Sequence, residues 1–349
     1  MPGRIKFVLA CLACVVPVLF GQSEARSTTG QASYQGFYEL RADGTGLRRL
    51  LSPSEGAVQA ISPDRRTVVV QRGDSDLETV SLGTDQHRSL VTLAGITGGG
   101  QGLVTWSPDA RTIAFDRADD SACSPLGTAC AIWEVWLVNP DGTNLRRLST
   151  HTLQPAFSPS GKRVAFVGSY DTYADTGTVA IASLDGNGRR DLDQGGWRWG
   201  PTWSPNGRCV AYTVSRSRGY AARVACLNGR RQNLGSGYAL GWSQGALLVS
   251  RPRQYARSET SYLLVPRDRQ KAIVLASGHL GAGALSPQGR KFAFVSVRHG
   301  EMQLIVRDLR ARRNRLVLRE PPVAGAQASL SSLSWSKDGS RLFFGLYAG

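Results

Sequence analysis

Seven copies of one short phrase, a spacing near 46 residues, and a half-unit at each end predict an all-β chain. The fold they predict is a seven-bladed β-propeller of four-stranded blades. The phrase is an apolar or aromatic residue, Ser, usually Pro, one or two turn residues, then a β-rich run. Its copies are Ile61-Ser-Pro-Asp, Trp106-Ser-Pro-Asp, Phe157-Ser-Pro-Ser-Gly, Trp203-Ser-Pro-Asn-Gly, Trp242-Ser-Gln-Gly, Leu285-Ser-Pro-Gln-Gly and Trp335-Ser-Lys-Asp-Gly. The intervals are 45, 51, 46, 39, 43 and 50 residues.

Each beat of a unit has a local cause. Trp106 ends a first strand, and Ser107-Pro108-Asp109 makes a tight turn because Pro presets φ and Asp bonds nearby backbone. Thr112 to Phe115 alternates as a second strand, Ile132 to Val138 is a third, and Leu145 to Leu148 a fourth. The same order returns as Arg163 to Val167, Thr178 to Ser183 and a weak last strand, and again as Lys291 to Val297, Met302 to Val306 and Arg315 to Leu318. The last copy, Trp335 to Gly349, holds only first and second strands, whereas Phe37 to Leu50 reads as a third strand, a turn and a fourth. Pairing the two ends makes the seventh blade and removes exposed sheet edges.

Composition agrees. At 41% hydrophobic and 19% charged over 349 residues, the chain is neither a disordered polyelectrolyte nor a membrane bundle. Forty Gly, eight Trp and two Met suit turn-rich β structure.

Residues 1–25 read as a signal peptide. Arg4 and Lys6 precede an apolar run from Phe7 to Phe20, and Ser23-Glu24-Ala25 offers small residues at −3 and −1 of a cut. The run contains Pro17 and falls short of the ~20 residues a spanning helix needs; a retained membrane anchor is the alternative. Residues 26–36 form a short lead, and 37–349 the propeller. The chain is therefore expected outside the cytosol, periplasmic or extracellular. Cys11 and Cys14 leave with the signal, and the remaining four cysteines suggest disulfides. Cys209 and Cys226 lie symmetrically about a hairpin centred near Ser217, and Cys123 and Cys130 close a loop between two strands.

Asn139-Pro-Asp-Gly-Thr-Asn-Leu-Arg-Arg-Leu-Ser149 and Trp203-Ser-Pro-Asn-Gly-Arg resemble the WD-like repeats of the TolB propeller family. The resemblance covers about residues 37–349 and implies the propeller fold. Such repeats mark blade turns and serve binding proteins and enzyme accessory domains alike. TolB carries an α/β domain ahead of a six-bladed propeller. With about 11 residues between Ala25 and Phe37, the likeness here implies the propeller without that domain.

Connections from a fourth strand to the next first strand open towards the central channel. They include His151, Gln154, the loop Gly195-Gly-Trp-Arg-Trp-Gly200, Tyr238 and His279. Trp197 and Trp199 flank Arg198, a set suited to stacking a sugar ring or aromatic side chain and holding an anion. The plainer expectation packs one tryptophan between blades and leaves Arg198 solvated. Asp116, Asp119, Asp120, Asp171 and Asp175 read as solvated loop acids without the ligand spacing of a calcium site, so no metal or cofactor is expected. Gly-x-Ser-x-Gly, His-Glu-x-x-His and P-loop motifs are absent, and the four histidines are scattered. No catalytic residue is assigned.

The formal net charge of +16 is concentrated. Residues 26–204 hold 17 Lys+Arg against 19 Asp+Glu, while residues 205–320 hold 21 against 5. The basic sector comprises Arg216 and Arg218, Arg230 and Arg231, Arg251 and Arg253, and Arg310, Arg312, Arg313 and Arg315, with Arg257, Arg267, Arg269, Lys271, Arg290 and Lys291 between them. Such a sector attracts polyanions. Export argues against nucleic acid, so the expected partner is a protein or an anionic envelope polymer, with peripheral membrane contact as a variant. The chain is expected to be a monomer that recognises this partner without catalysis. The alternatives are an enzyme acting on a saccharide or peptide at the channel mouth and a structural or membrane-tethered scaffold.

Overall fold

The repeated phrase folds the same way at six sites because its serine is an internal clamp. Ser62, Ser107, Ser158, Ser204, Ser286 and Ser336 are all buried. Each Oγ accepts the backbone N–H five residues on, from Thr67, Thr112, Arg163, Cys209, Lys291 and Arg341. The serine's own N–H donates to the carbonyl of the same partner. Four of the hydroxyls donate in turn to Asp64, Asp109, Asn206 and Asp338. Three residues after the serine the backbone is left-handed, with φ of 66° at Gly207 and 58° at Ala110, which is why glycine recurs there.

These turns join first to second strands throughout. The computed structural model describes residues 33–72, 76–91, 103–119, 132–171, 176–217, 219–243, 246–252, 259–266, 271–320 and 329–348. Apart from one 3₁₀ turn at Pro53–Glu55, its regular structure is β. The chain begins with β1 (Ser33–Arg41) and β2 (Arg48–Leu51), then forms β3 (Ala57–Ile61), β4 (Thr67–Arg72), β5 (Asp76–Ser81) and β6 (His87–Val91). Next come β7 (Val104–Trp106), β8 (Ile113–Asp119), β9 (Ile132–Val138) and β10 (Arg146–Thr150), then β11 (Thr152–Phe157), β12 (Arg163–Asp171), β13 (Thr176–Ser183) and β14 (Arg190–Gln194). The following four are β15 (Arg198–Trp203), β16 (Cys209–Arg216), β17 (Gly219–Cys226) and β18 (Arg231–Ser236). Then come β19 (Tyr238–Ser243), β20 (Ala246–Pro252), β21 (Glu259–Pro266), β22 (Ile273–Leu285), β23 (Lys291–Arg298), β24 (Glu301–Asp308) and β25 (Arg313–Glu320), with β26 (Ser329–Trp335) and β27 (Arg341–Ala348) last.

β3–β6, β7–β10, β11–β14 and β15–β18 each make a four-stranded antiparallel sheet in chain order. A fifth four-stranded sheet, ordered β2-β1-β27-β26, takes two strands from each end of the described chain. Within it Phe37 stacks on Phe343 at 6.5 Å and Tyr38 on Phe344 at 6.0 Å. The expected pairing of the two ends is present, although β1 starts at Ser33, four residues before the expected boundary.

The seven expected blades do not appear as seven separate sheets. β19–β25 form one seven-stranded sheet, so there are six sheets among the described residues. The cause is β22, 13 residues long, whose first part pairs with β21 and whose last part pairs with β23. No turn interrupts it around His279, where the sequence places a connection.

Neighbouring sheets are tied at their inner strands. Register shifts in β3, β11, β15, β19, β22 and β26 mark a bulge two to four residues before the phrase. Groups freed there bridge blades: the Ala239 N–H donates to Thr213 Oγ1, and Ser332 Oγ donates to the Val58 carbonyl. The tryptophan of the phrase adds a second bridge. Nε1 of Trp203, Trp242 and Trp335 each donates at 3.0 Å to Ala156, Thr202 and Ala284, the residue just before the corresponding phrase of the preceding unit. Where the phrase begins with Ile61, Arg65 donates instead to the Trp335 carbonyl and lies over the Phe343 ring.

Trp106 is buried like Trp203 and Trp335, but its Nε1 has no hydrogen-bond partner among the described residues. Trp203→Phe and Trp335→Phe each orphan a carbonyl and should destabilise the protein by ~1–3 kcal/mol more than Trp106→Phe. Urea unfolding midpoints of the three variants test this ordering.

Candidate functional site

The Gly195–Gly200 loop is built around a buried charge. Gly195 and Gly196 have φ of 93° and 72°, conformations that turn the chain sharply out of β14. Side chains then alternate, so Trp197 and Trp199 fall on one side and Arg198 on the other. Arg198 is 2% exposed. Its guanidinium donates to the carbonyls of Gly177, Gly195 and Gly196, and to Asp193 Oδ2 at 2.9 Å. The expectation of a solvated Arg198, or of one free to hold an external anion, is overturned. This arginine fastens the loop from inside because its backbone acceptors and its carboxylate are all local.

Asp193 is the hub. Its Oδ2 also accepts from Tyr212 at 2.6 Å and Arg223 at 3.4 Å, and its Oδ1 faces Arg231 at 3.4 Å. Burial opposes its ionisation, but the hydrogen bonds of Tyr212 and Arg198 and the charges of Arg198 and Arg231 together hold it below the ordinary carboxylate value. Burial and the adjacent carboxylate push the Tyr212 phenol up.

On the outer side four rings follow one another. Trp197 stacks on Trp199 at 6.1 Å, Trp199 meets Tyr220 edge-on at 5.4 Å, and Tyr220 lies 4.5 Å from Tyr238. Tyr220 is 39% exposed and the others are half-buried. Sequence reasoning gathered three of these and missed Tyr220, which has no motif. Pairing brings it in: Ser215 faces Tyr220 across β16 and β17, while the Ser215 N–H donates to the Trp197 carbonyl. Burial, then the charge and hydrogen bond of Tyr220, raise the Tyr238 phenol above its ordinary value.

His151 and His279 are exposed, the first between β10 and β11 and the second within β22. Among the described residues no hydrogen bond or ion pair links either to another titratable side chain. Gln154, at φ 58°, is instead a structural tie: its N–H donates to Asp116 Oδ2 at 2.6 Å and its Oε1 accepts from Gly200 at 2.7 Å. Asp116 therefore does not belong with the solvated loop acids. It lies in β8, 1% exposed, and burial pushes its carboxyl up to about 7 despite the hydrogen bond from Gln154. Asp119 and Asp171 end β8 and β12, and Asp120 and Asp175 lie outside the described residues. No group of three or more His, Cys, Asp or Glu able to hold a metal occurs among the described residues.

Cys209 and Cys226 face each other across β16 and β17 and form a disulfide, with Cα atoms 3.9 Å apart. The expected Cys123–Cys130 pair lies outside the described residues. So do Arg218 and Arg253. Arg216, Arg230, Arg310, Arg312, Arg313 and Arg315 are exposed. Arg231 Nε donates to the Leu192 carbonyl and Arg251 Nε to that of Ser236.

No family model matches the sequence, and no curated protein matches it. Solved structures with a similar fold include a puromycin-hydrolysing peptidase of Mycobacterium tuberculosis, at 15% identity and a TM-score of 0.60 over 90% of this chain. The chain spans 57% of that peptidase's length. The β-propeller domain of the Trilobed protease from Pyrococcus furiosus, described as an open velcro topology, is 12% identical with a TM-score of 0.53, covering 80% of this chain and 90% of its own. A putative TolB from Agrobacterium tumefaciens is 14% identical over 91% of this chain and 99% of its own, with a TM-score of 0.49. The likeness is one of fold. In this chain β1 and β27 pair along their length at the closure.

Two outcomes follow from the site. Asp116 binds its proton more tightly folded than unfolded, so stability falls as pH rises from about 4 to about 7. Asp116→Asn should flatten that fall, as read from denaturant midpoints between pH 4.5 and 8. Replacing Cys209 and Cys226 by Ala releases a link between residues 17 apart, which costs ~3 kcal/mol in the loop-entropy picture; calorimetry of the double variant measures it.

Proposed function

We propose that this chain is an exported, non-catalytic propeller that recognises an anionic component of the cell envelope, a polymer or an acidic protein. The observation that carries the reading is the asymmetry of charge, 21 Lys+Arg against 5 Asp+Glu over residues 205–320. Exposed arginines at Arg216, Arg230, Arg310, Arg312 and Arg313 put much of that charge in solvent, where it attracts polyanions over about a Debye length. Export is supported by the leader pattern of residues 1–25 and by the Cys209–Cys226 disulfide. No helix among the described residues is long and apolar enough to cross a membrane.

The same reading takes the propeller as seven-bladed and monomeric, spanning residues 37–349. Dividing β22 near His279 gives its first part to one blade and its last part to the next. The first strands β3, β7, β11, β15, β19, the last part of β22, and β26 then touch in succession and close a ring.

Immobilised heparin is the test. The Arg310→Ser, Arg312→Ser, Arg313→Ser triple variant should elute at clearly lower salt than the parent chain, since these side chains are exposed and their loss leaves the fold intact. Unchanged elution removes that cluster from the binding surface.

A further inference from the structure

The aromatic row needs a different explanation from the basic sector, because rings recognise faces rather than charge. Four rings in succession, Trp197, Trp199, Tyr220 and Tyr238, exceed what a single ligand ring can cover. They suit an extended occupant that offers one flat face after another. The row lies at one end of the sheets, along the β14–β15 connection, the β16–β17 hairpin and the start of β19. Its close neighbours in the chain are small: Gly195, Gly196, Gly219, Ser215, Ser236 and Gly237. The exposed aliphatic side chains among the described residues, Leu47, Leu145, Ile273, Val274 and Leu316, belong to other segments. A protein interface typically sets aromatic anchors in an apolar core. Here the surround is glycine and serine, open to hydroxyl-rich material.

One arginine borders the row. Arg216, paired with Gly219, falls on the face opposite Tyr220 and is not part of the row. Arg251 is anchored by its Nε to the Ser236 carbonyl at 3.0 Å, two residues from Tyr238. A guanidinium so placed recognises carboxylates by paired hydrogen bonds. Arg198 does not act in this way, since it is consumed by Asp193, but it holds the Gly195 and Gly196 carbonyls and so fixes where Trp197 and Trp199 stand.

We propose that the row Trp197–Trp199–Tyr220–Tyr238, with Arg251, is a binding platform for an acidic polysaccharide, whose sugar faces stack on the rings and whose carboxylates meet the arginine. This rests on the reading of the chain as a binder of anionic envelope material and names the ligand class and the place.

The test uses the full mature chain and polygalacturonate, with dextran as the neutral polymer and dextran sulfate as a polyanion whose charge is not carried on uronic acids. Binding is followed by tryptophan fluorescence and by calorimetry. Polygalacturonate should perturb the tryptophan emission and dextran should not. Tyr220→Ala should weaken polygalacturonate binding about tenfold, Tyr220→Phe should restore it, and Arg251→Gln should weaken it severalfold. Dextran sulfate binding should be indifferent to Tyr220→Ala. Equal binding of dextran, or polygalacturonate binding unchanged in both Tyr220→Ala and Trp199→Ala, overturns the proposal. Loss of heparin retention in the Arg310, Arg312 and Arg313 variant bears only on the wider basic sector. The platform and the sector therefore fail separately.

Discussion

The hydrogen bond from an inner-strand indole to the carbonyl of the preceding unit sets the register at three seams of the ring, and Arg65 takes its place at a fourth. A propeller has no layer above or below to hold its sheets together, so blade-to-blade cohesion must come from their flanks. Hydrophobic clusters supply most of it, as where Trp203 packs with Ala165, Val179, Ile181 and Tyr212. Dispersion between two twisted sheets has little preference for one sliding position over another. Nε1 of Trp203 on the Ala156 carbonyl, repeated by Trp242 on Thr202 and Trp335 on Ala284, fixes the register of neighbours to a single residue. The buried serine beside Trp203 and Trp335 serves the same end, because its clamp on the N–H five residues later sets where the second strand begins. The serine clamp is met at six copies of the phrase and the indole bond at three of its seams.

That explains what could be read in advance. Turn chemistry and the 46-residue spacing depend on residues close in sequence, so Ile132–Val138 and the Cys209–Cys226 register were legible to the residue. The sheet count was not, because nothing local separates the two parts of β22: His279 is exposed in an uninterrupted strand where a connection was expected. Burial of charge was also invisible. Asp116 and Arg198 carry the residue types of solvated loops, and only the fold shows that one lies in β8 under Gln154 and the other beneath Gly195 and Gly196. Tyr220 was missed for the related reason that its ring neighbours lie on other strands, Trp199 on β15 and Tyr238 on β19 of the next sheet.

Arg198 and Asp193 also show how a buried pair specifies without obviously stabilising. Desolvating both charges is expensive, and the exchange of one ion pair for a hydrophobic contact is often neutral or better. What a hydrophobic contact cannot do is point. The Arg198 guanidinium serves three carbonyls through Nη1 and one carboxylate through Nη2, and Asp193 draws in Tyr212, Arg223 and Arg231. The loop conformation is therefore over-determined, and it fixes where the half-buried Trp197 and Trp199 stand.

A rigid row has an energetic consequence for recognition. Ordering a flexible loop on binding costs about 0.5–1.5 kcal/mol for each rotamer-rich side chain immobilised. Rings have few torsions to lose, and here their backbone is pinned by Arg198, by the Ser215–Trp197 bond and by the Cys209–Cys226 link in the same sheet. Long-range attraction by the basic sector raises the encounter rate but discriminates poorly between polyanions. Discrimination must come from short-range groups whose positions are fixed before the ligand arrives. The sheet built from β15–β18 combines a disulfide, a buried ion-pair hub and an aromatic row, with the arginine-rich sector on its flank.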